Sequence, residues 1–265
     1  MTTPRVLIVA GSDSGGGAGI QADIKTVTML GGHAMTAITA ITAQNTLGVD
    51  AVMAVPTEMV LAQIDAVAGD IGVDAVKIGM IGSAETAFML AERIDRMSAL
   101  PIVFDPVMVA TSGAALADAD TIAAFERLMA IASLVTPNAA ELAALTGAAV
   151  DDVEGLSAAA RALSDRTGKP VLAKGGHVAA REIIDILAMP GAGEQRFVAD
   201  AIVTRHTHGT GCTLASAIAT GLAAGMELEA AIERARLFVR TAMLEAPGLG
   251  SGHGPMGHGR VRLPH

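Results

Sequence analysis

Short apolar runs alternate with longer segments of helical periodicity along this chain. Six runs are continuously apolar, as buried parallel strands are: residues 6–10, 36–42, 75–78, 101–104, 134–136 and 171–174. Eight segments have helical spacing: residues 18–30, 57–69, 84–97, 119–131, 139–146, 155–167, 212–224 and 228–245. The alternation predicts right-handed β–α–β crossovers and a three-layer, doubly wound α/β fold, with a mostly parallel sheet and helices on both faces.

Residues 182–189 and 195–203 follow one another around a Pro-Gly-Ala-Gly turn. This pattern predicts an antiparallel hairpin at one edge of the sheet. No internal repeat or long linker interrupts the chain, so we expect residues 1–265 to form a single domain. The tail, residues 248–265, is rich in Gly and His and is expected to be either a flap or a frayed end.

Composition restricts the classes of function. The 265 residues are 51% hydrophobic, and the formal net charge is −9 with no basic cluster. Because nucleic acids and anionic membranes attract basic surfaces, neither is expected as a partner. The one cysteine excludes an intramolecular disulfide and a Cys-rich zinc site. No secretory signal is recognised at the start, so we expect a cytoplasmic enzyme.

Parallel strands end at a common edge of the sheet, where ligands bind in such folds. Asp105 follows one predicted strand and could orient Mg²⁺ or its waters, or it could cap the turn before Pro106. Asn138 and Glu141 stand three apart at a helix start, which is typical of a capping box. Beside Asp105, the same pair also fits a hydrated metal ion.

Lys174 ends another predicted strand and precedes two glycines. Because a buried ammonium needs an anion, a phosphate partner is favoured there. Gln44 ends an uncharged strand, and its carboxamide suits a heterocycle with ring nitrogens and an amino group, or else a neighbouring backbone. Asp23 is either close to the substrate loop or a solvated helix residue.

The segment 208–213 reads His-Gly-Thr-Gly-Cys-Thr and leads directly into a helix. Two closely spaced glycines allow positive-φ turns, and the helix N-terminus offers free N–H groups to an anion, most plausibly a phosphoryl group. Cys212 is either a buried small residue or a reactive thiol, and a helix start can lower the pKa of such a thiol. His177, His206 and His208 are expected to be hydrogen-bonding loop residues.

The glycine-rich loop 11–19 invites comparison with nucleotide-binding motifs. Residues 17–22 fit a loose dinucleotide pattern, but residues 35–44 contain no Asp or Glu to bind a ribose. The nicotinamide alternative is therefore disfavoured. No Gly-Lys is followed by Ser or Thr, so an ATP site here would not be a P-loop.

Seven blocks of sequence, in order, resemble the hydroxymethylpyrimidine/phosphomethylpyrimidine kinases of thiamine biosynthesis, within the ribokinase-like superfamily. The blocks are residues 10–23, 43–46, 77–80, 105–108, 136–138 with Glu141, 174–177 and 207–213. The cysteine at position 212 is informative, because the sugar kinases of the superfamily carry Asp there and the pyrimidine kinases carry Cys.

The resemblance implies roles for particular residues. Gln44 would read the pyrimidine edge, in a pocket that is also lined by Asp23, Gly11, Met80 and Val107. Lys174, Thr210 and Gly211 would contact the nucleotide phosphates. Asp105, Asn138 and Glu141 would hold Mg²⁺ through water. The anion hole would comprise Gly209, Gly211 and Cys212, with Cys212 as the candidate base or as a group that only positions the hydroxyl.

The resemblance also implies an activity. It is the ATP-dependent phosphorylation of 4-amino-5-hydroxymethyl-2-methylpyrimidine to its monophosphate and then its diphosphate. Adenine would lie over the C-terminal helices and the tail, and the protein would be a homodimer. Two alternatives stay open: a pyridoxal/pyridoxine kinase of the same fold, and a non-catalytic pyrimidine-binding protein.

Overall fold

The strands of this protein form one mixed sheet in a computed structural model that describes residues 2–97, 100–110, 113–176 and 181–262. In those residues the strand order is β3-β2-β1-β4-β5-β6-β7-β8-β9. The strands are β1 (Arg5–Asp13), β2 (His33–Gln44), β3 (Val49–Ala54), β4 (Ala75–Ile78), β5 (Ile102–Phe104), β6 (Leu134–Val135), β7 (Val171–Ala173), β8 (Glu182–Ala188) and β9 (Glu194–Asp200).

Eight α-helices connect or cover these strands in the same described ranges. They are α1 (Gly19–Met29), α2 (Thr57–Asp70), α3 (Ala84–Asp95), α4 (Ala119–Ile131), α5 (Ala139–Thr146), α6 (Val153–Thr167), α7 (Thr210–Ala223) and α8 (Leu228–Leu244). A 3-10 turn follows at His258–Arg260. None of the helices so described is long and apolar enough to cross a lipid bilayer.

The predicted doubly wound architecture is confirmed. Strands β2, β1, β4, β5, β6 and β7 are parallel neighbours, and β8 and β9 form the predicted antiparallel hairpin at one edge. Strand β3 was not predicted. It pairs antiparallel to β2 after a tight turn in which the Asn45 side chain accepts hydrogen bonds from the N–H groups of Leu47 and Gly48. Its residues are largely exposed, so its sequence lacks the buried apolar signal of the other strands.

Alternate side chains of the central strand enter two separate cores, as the pleat of a strand requires. Leu7 and Val9 pack with α2 to α6 on one face. Val6 and Ile8 pack with α1, α7 and α8 on the other. Both faces of β1 are therefore buried, which explains why its sequence contains an uninterrupted apolar run.

The strand order reverses at β1, because β2 lies on one side of it and β4, which follows later in the chain, lies on the other. At such a switch point the connections to neighbouring strands diverge to opposite faces and leave a crevice at the carboxyl ends. The loop after β1, the end of β4 and the start of α7 meet there.

The described part of the tail is packed onto the protein, so the frayed-end alternative is wrong for residues 248–262. Pro255 forms a backbone bridge with His208, and the N–H of His253 donates to the carbonyl of Thr46 over 2.9 Å. Met256 and His258 are buried at 4% and 1% exposure. Residues 263–265 lie outside the described residues.

Docking of the tail creates a pH-dependent contribution to stability. His258 Nε2 lies 2.8 Å from Thr213 Oγ1, and burial lowers the pKa of His258 to about 4. An unfolded histidine titrates near pH 6.5. Between about pH 6.5 and pH 4, His258 is therefore protonated in the unfolded chain and neutral in the folded protein. Stability from this group is complete above pH 6.5 and is lost as the pH falls.

We predict that His258→Asn reduces the loss of unfolding free energy between pH 7 and pH 5 by about 2 kcal/mol. Urea denaturation at both pH values measures this difference. His253→Asn is the matched control, because His253 is exposed on the same tail. An equal pH dependence in wild type and His258→Asn would contradict the assignment.

Candidate active site

A cleft of about 900 Å³ lies at the carboxyl ends of the parallel strands. It brings together all the residues to which the sequence analysis gave catalytic, binding or metal-holding roles, with the exception of Asp23. Those that line it are Gly11, Gln44, Met80, Asp105, Val107, Asn138, Glu141, Lys174, Gly209, Thr210, Gly211 and Cys212. Their chemical roles are argued below as proposals.

The loop before α7 has the backbone geometry predicted for an anion hole. Gly209 adopts φ +84°, and a Cβ at this position would lie 2.0 Å from the carbonyl oxygen of Gly17. Only glycine permits this backbone-to-backbone approach. No side chain among the described residues caps the α7 N-terminus, and its first turn contains no acidic residue. The positive end of the helix dipole therefore lines the cleft without a side-chain cap, and the nearest carboxylate is Asp105, whose Oδ2 would lie 3.5 Å from a Cβ on Gly211.

Cys212 lies in the first turn of α7, and its environment differs from the expectation. Burial raises the pKa of the Cys212 thiol to about 11, although the nearby charge of Lys77 opposes that rise. The expected lowering by the helix start is wrong, because desolvation of the thiolate outweighs it. At neutral pH, Cys212 is a thiol that can donate or accept a hydrogen bond.

Asp23 does not line the cleft, which corrects the prediction of a substrate-binding role. Its carboxylate is fully buried, 2.9 Å from Lys77 Nζ, and it accepts a hydrogen bond from Ser216 Oγ over 2.7 Å. Burial alone would lower the pKa of Lys77, but the hydrogen bond to Asp23 and the charges of Asp23, Cys212 and Asp105 together outweigh it, and the net shift is upward. Lys77 therefore stays charged behind Cys212, in a role that the sequence did not reveal.

Lys174 is held by the carboxylates that were predicted to bind a metal. Its Nζ lies 2.6 Å from Asp105 Oδ1 and 3.9 Å from Glu141 Oε2. Thr136 Oγ1 also donates to Asp105 Oδ1 over 3.2 Å. Burial raises the pKa of Glu141 to about 7 against the attraction of Lys174. One ammonium group and two carboxyl groups thus lie together beside the N-terminus of α7.

The capping-box interpretation of Asn138 and Glu141 is confirmed. Asn138 Oδ1 accepts from the N–H of Glu141 over 2.9 Å, and Glu141 Oε2 accepts from the N–H of Asn138 over 2.7 Å. No cluster of three His, Cys, Asp or Glu able to hold a metal ion occurs in the described residues. Asp105 and Glu141 still fit Mg²⁺, which is commonly held by one or two carboxylates together with phosphate oxygens and water.

Sequence reasoning missed Asp13, which organises the loop after β1. Its carboxylate accepts hydrogen bonds from the N–H groups of Gly15, Gly17 and Ala18 over 2.8, 3.0 and 2.8 Å. His208 Nε2 lies 2.9 Å from the same carboxylate. His208 is thus a hydrogen-bonding loop residue, as predicted, and it connects this loop to the anion hole. His206 Nδ1 has no partner among the described residues, and His177 lies outside them.

Beyond Lys174 the cleft extends along α8. Arg236, Val239 and Met243 line this end, and Arg236 is held by Asp185 over 2.8 Å. The described tail residues do not line the cleft, since they contact Thr46 and His208 instead. The predicted adenine position over the C-terminal helices keeps structural support, but its extension to the tail does not.

The phosphomethylpyrimidine kinase family profile matches residues 13–257. This chain belongs to that family. It is 46% identical to the hydroxymethylpyrimidine/phosphomethylpyrimidine kinase of Streptomyces coelicolor, over 98% of this chain and 96% of that one. It is 51% identical to the thiamine biosynthesis bifunctional protein ThiED of Geobacter sulfurreducens, over 96% of this chain and 52% of the relative. It thus spans about half of the bifunctional protein and nearly all of the Streptomyces kinase.

The fold is also that of a solved pyridoxal kinase. An ADP complex of Bacillus subtilis pyridoxal kinase superposes with a TM-score of 0.91 at 32% identity, covering 99% of this chain and 100% of the other. The ribokinase-like fold is therefore confirmed. Family membership makes the protein a phosphotransferase, so a non-catalytic pyrimidine-binding protein is not retained.

We predict that Lys77→Met lowers the free energy of unfolding by about 3–5 kcal/mol, because it leaves the Asp23 carboxylate buried without its cation. The double variant Lys77→Met/Asp23→Asn should recover much of this loss. Urea denaturation at pH 7 measures both.

Arg96→Met is the control, because the Arg96–Glu92 pair is exposed at 73% and 66% and spans 3.7 Å. We expect it to change stability by less than about 0.5 kcal/mol. If Lys77→Met were equally mild, the buried pair would not be charged.

Proposed function

We propose that this protein transfers the γ-phosphoryl group of ATP to the hydroxymethyl group of 4-amino-5-hydroxymethyl-2-methylpyrimidine. A second transfer converts the monophosphate to the diphosphate for thiamine diphosphate biosynthesis. One observation carries the proposal: a carboxamide suited to a heterocycle, a lysine and an uncapped helix N-terminus line the same cleft. The identities to the named kinases support this choice of substrate.

The pyrimidine would bind where Gln44 lines the cleft beside Gly11, Met80 and Val107. Gly11 lies at a register shift between β1 and β2, and a Cβ there would be 2.9 Å from Met80 Sδ. The glycine therefore gives Met80 room to form an apolar floor. A polarizable thioether suits the face of a planar ring in a protein that lacks Trp and Tyr.

The phosphates would bind between the α7 N-terminus and Lys174. A Cβ at Gly211 would lie 3.1 Å from Lys174 Nζ, so the backbone of the anion hole and the ammonium group approach the same space. Thr210 and Gly211 would contribute N–H groups, and Lys174 would exchange its partner Asp105 for a phosphate oxygen. Such positioning and charge neutralisation are most of what phosphoryl transfer requires.

When bound with the nucleotide, Mg²⁺ would supply positive charge that offsets the charge of the phosphates. Asp105, Asn138 and Glu141 are the residues that would orient its waters. Asp105 and Glu141 already face a cation, the ammonium group of Lys174. The charge of this pocket is thus complementary to a cation before any ligand binds.

Cys212 would orient the substrate hydroxyl. Its raised pKa keeps the thiol protonated at neutral pH, where it would not be a ready base. A loose phosphoryl transition state requires little early deprotonation of the nucleophile. The phosphorylation assay described below tests this role with Cys212→Ser. A serine hydroxyl can also orient the substrate hydroxyl, so this variant should retain substantial turnover.

We predict that mass spectrometry of the protein with ATP, Mg²⁺ and the pyrimidine alcohol detects monophosphate first and diphosphate later. ADP formation should depend on the added alcohol. Lys174→Ala should lower kcat by about 10²–10³-fold, because it removes a charged donor from the transferring phosphoryl group. Lys169→Ala, at the end of α6 and outside the cleft, is the control.

Turnover of pyridoxal in a parallel reaction tests the second candidate function, which the fold of the Bacillus subtilis enzyme favours. Faster turnover of pyridoxal than of the pyrimidine would replace the proposed substrate. Alcohol-independent ADP formation, or full activity of Lys174→Ala, would contradict the proposed site.

A homodimer is also proposed. The edge strand β3 is exposed on both faces, and it carries the apolar side chains of Val52 and Met53 at 46% and 60% exposure. Ile41 of β2 and Leu47 of the turn extend this apolar edge at 46% and 69% exposure. Burial of such an edge is the usual alternative to aggregation.

We predict that sedimentation velocity shows a dimer and that Met53→Glu weakens its association at least about tenfold, because burial of a carboxylate in an apolar contact is costly. Val203→Glu is the control, since Val203 is exposed away from this edge. A monomeric wild type, or an unaffected Met53→Glu variant, would contradict the assignment.

A further inference from the structure

The Gln44 carboxamide lies between two polar neighbours at the end of β2. Its Nε2 is 3.3 Å from His208 Nε2, and its Oε1 is 3.2 Å from Thr42 Oγ1. The oxygen and the amino group of a carboxamide have nearly the same shape, so the hydrogens of the neighbours decide which end faces which neighbour. Both neighbours can be assigned from their other contacts.

His208 Nε2 is a hydrogen-bond donor. It lies 2.9 Å from Asp13 Oδ2. Burial alone would raise the pKa of Asp13, but hydrogen bonds from His208 and from the N–H of Ala18 outweigh it and hold the pKa below its ordinary value. An ionised carboxylate can only accept, so the hydrogen of this contact is on Nε2. That nitrogen cannot also accept a hydrogen bond from the Gln44 amino group.

Thr42 presents lone pairs, and not a hydrogen, to Gln44. Its hydroxyl has one hydrogen, and Oγ1 lies 2.9 Å from the carbonyl oxygen of Ser12, which can only accept. With that hydrogen used, Thr42 Oγ1 can accept a hydrogen bond from an amino group. Both neighbours therefore favour the same end-to-end orientation of the carboxamide.

We propose that His208, oriented by Asp13, and Thr42 hold Gln44 with its carbonyl oxygen toward His208 and its amino group toward Thr42. His208 is thus a positioning residue that acts on the substrate through Gln44. Its ring packs against the Gly17 backbone, at a place where a Cβ on Gly17 would lie 2.3 Å from His208 Cδ2.

The consequence for specificity rests on the proposed function. A fixed carboxamide offers an acceptor and a donor in a set order. A ring with an exocyclic amino group beside an unprotonated ring nitrogen matches it, with the amino group on the His208 side and the ring nitrogen on the Thr42 side. The 4-oxo analogue offers its acceptor and its N–H in the reverse order. Its carbonyl oxygen would face the carbonyl oxygen of Gln44, and its ring N–H would face the amino group of Gln44.

The kinetic test compares kcat/KM for the 4-amino pyrimidine alcohol and its 4-oxo analogue. Wild type should prefer the amino compound by on the order of 10²-fold, because mismatched polar groups left unpaired are costly. His208→Leu and Thr42→Val should each reduce this preference about tenfold. The change should lie in KM for the alcohol, with KM for ATP unaltered.

Two further variants separate positioning from a merely structural role. His208→Gln keeps an N–H that can donate to Asp13, so it should retain the preference. Thr26→Val removes a buried hydroxyl that donates only to the Ala22 carbonyl in α1, away from Gln44, and should also retain it. Equal losses of kcat for both alcohols in His208→Leu and Thr42→Val, with the preference unchanged, would overturn the proposal.

Nuclear magnetic resonance of the ¹⁵N-labelled wild-type protein tests the orientation without substrate. We expect the ring shifts of His208 to show a protonated Nε2 and the Gln44 amide hydrogens to show cross-relaxation with the Thr42 methyl group. Cross-relaxation with the His208 ring alone would overturn the orientation. If wild type phosphorylated no ring alcohol, the proposed function would fail, while this measurement would still decide the inference.

Discussion

The buried carboxylate of Asp13 holds the two glycine-rich loops of the cleft together. It gathers the N–H groups of its own loop and the imidazole of His208, which belongs to the loop before α7. The backbone contact between Gly17 and Gly209 then closes the same junction, where no side chain would fit. Without this junction the heterocycle end and the anion hole would be two separate loops, and their relative position would not be set.

Charge pairing is the second feature of the cleft. Lys77 is permanently paired with Asp23 in the core, whereas Lys174 at 14% side-chain exposure is paired with Asp105 at the cleft surface. The first pair is fully buried and maintains a positive charge near Cys212. The second lies where the proposed exchange of Asp105 for phosphate would take place. Two lysines at the ends of parallel strands thus have different uses, and the difference is one of burial.

Much of the site could be predicted from residue order. Strand-end positions are shared by parallel strands, so Gln44, Asp105 and Lys174 were expected near one another, and the structure places them around one cleft. The errors have physical causes. Asp23 was assigned to the pocket because position in a helix does not reveal which direction a side chain faces. The sequence left open whether Cys212 is a buried residue or a thiol whose pKa the helix start lowers, because it shows a helix start but not the degree of desolvation.

The sequence by itself determined the alternation of strands and helices, the edge hairpin, the glycine-rich turn before α7 and the family, because these depend on local periodicity and on motifs within short segments. Tertiary structure alone decided the pairing of Lys77 with Asp23, the packing of the tail and the network of Asp13, His208 and Gln44. Those contacts join residues that are far apart in the sequence, such as Asp13 and His208, which are separated by 195 positions. Hydrogen-bond direction and burial depend on which distant groups meet, and no local pattern encodes that.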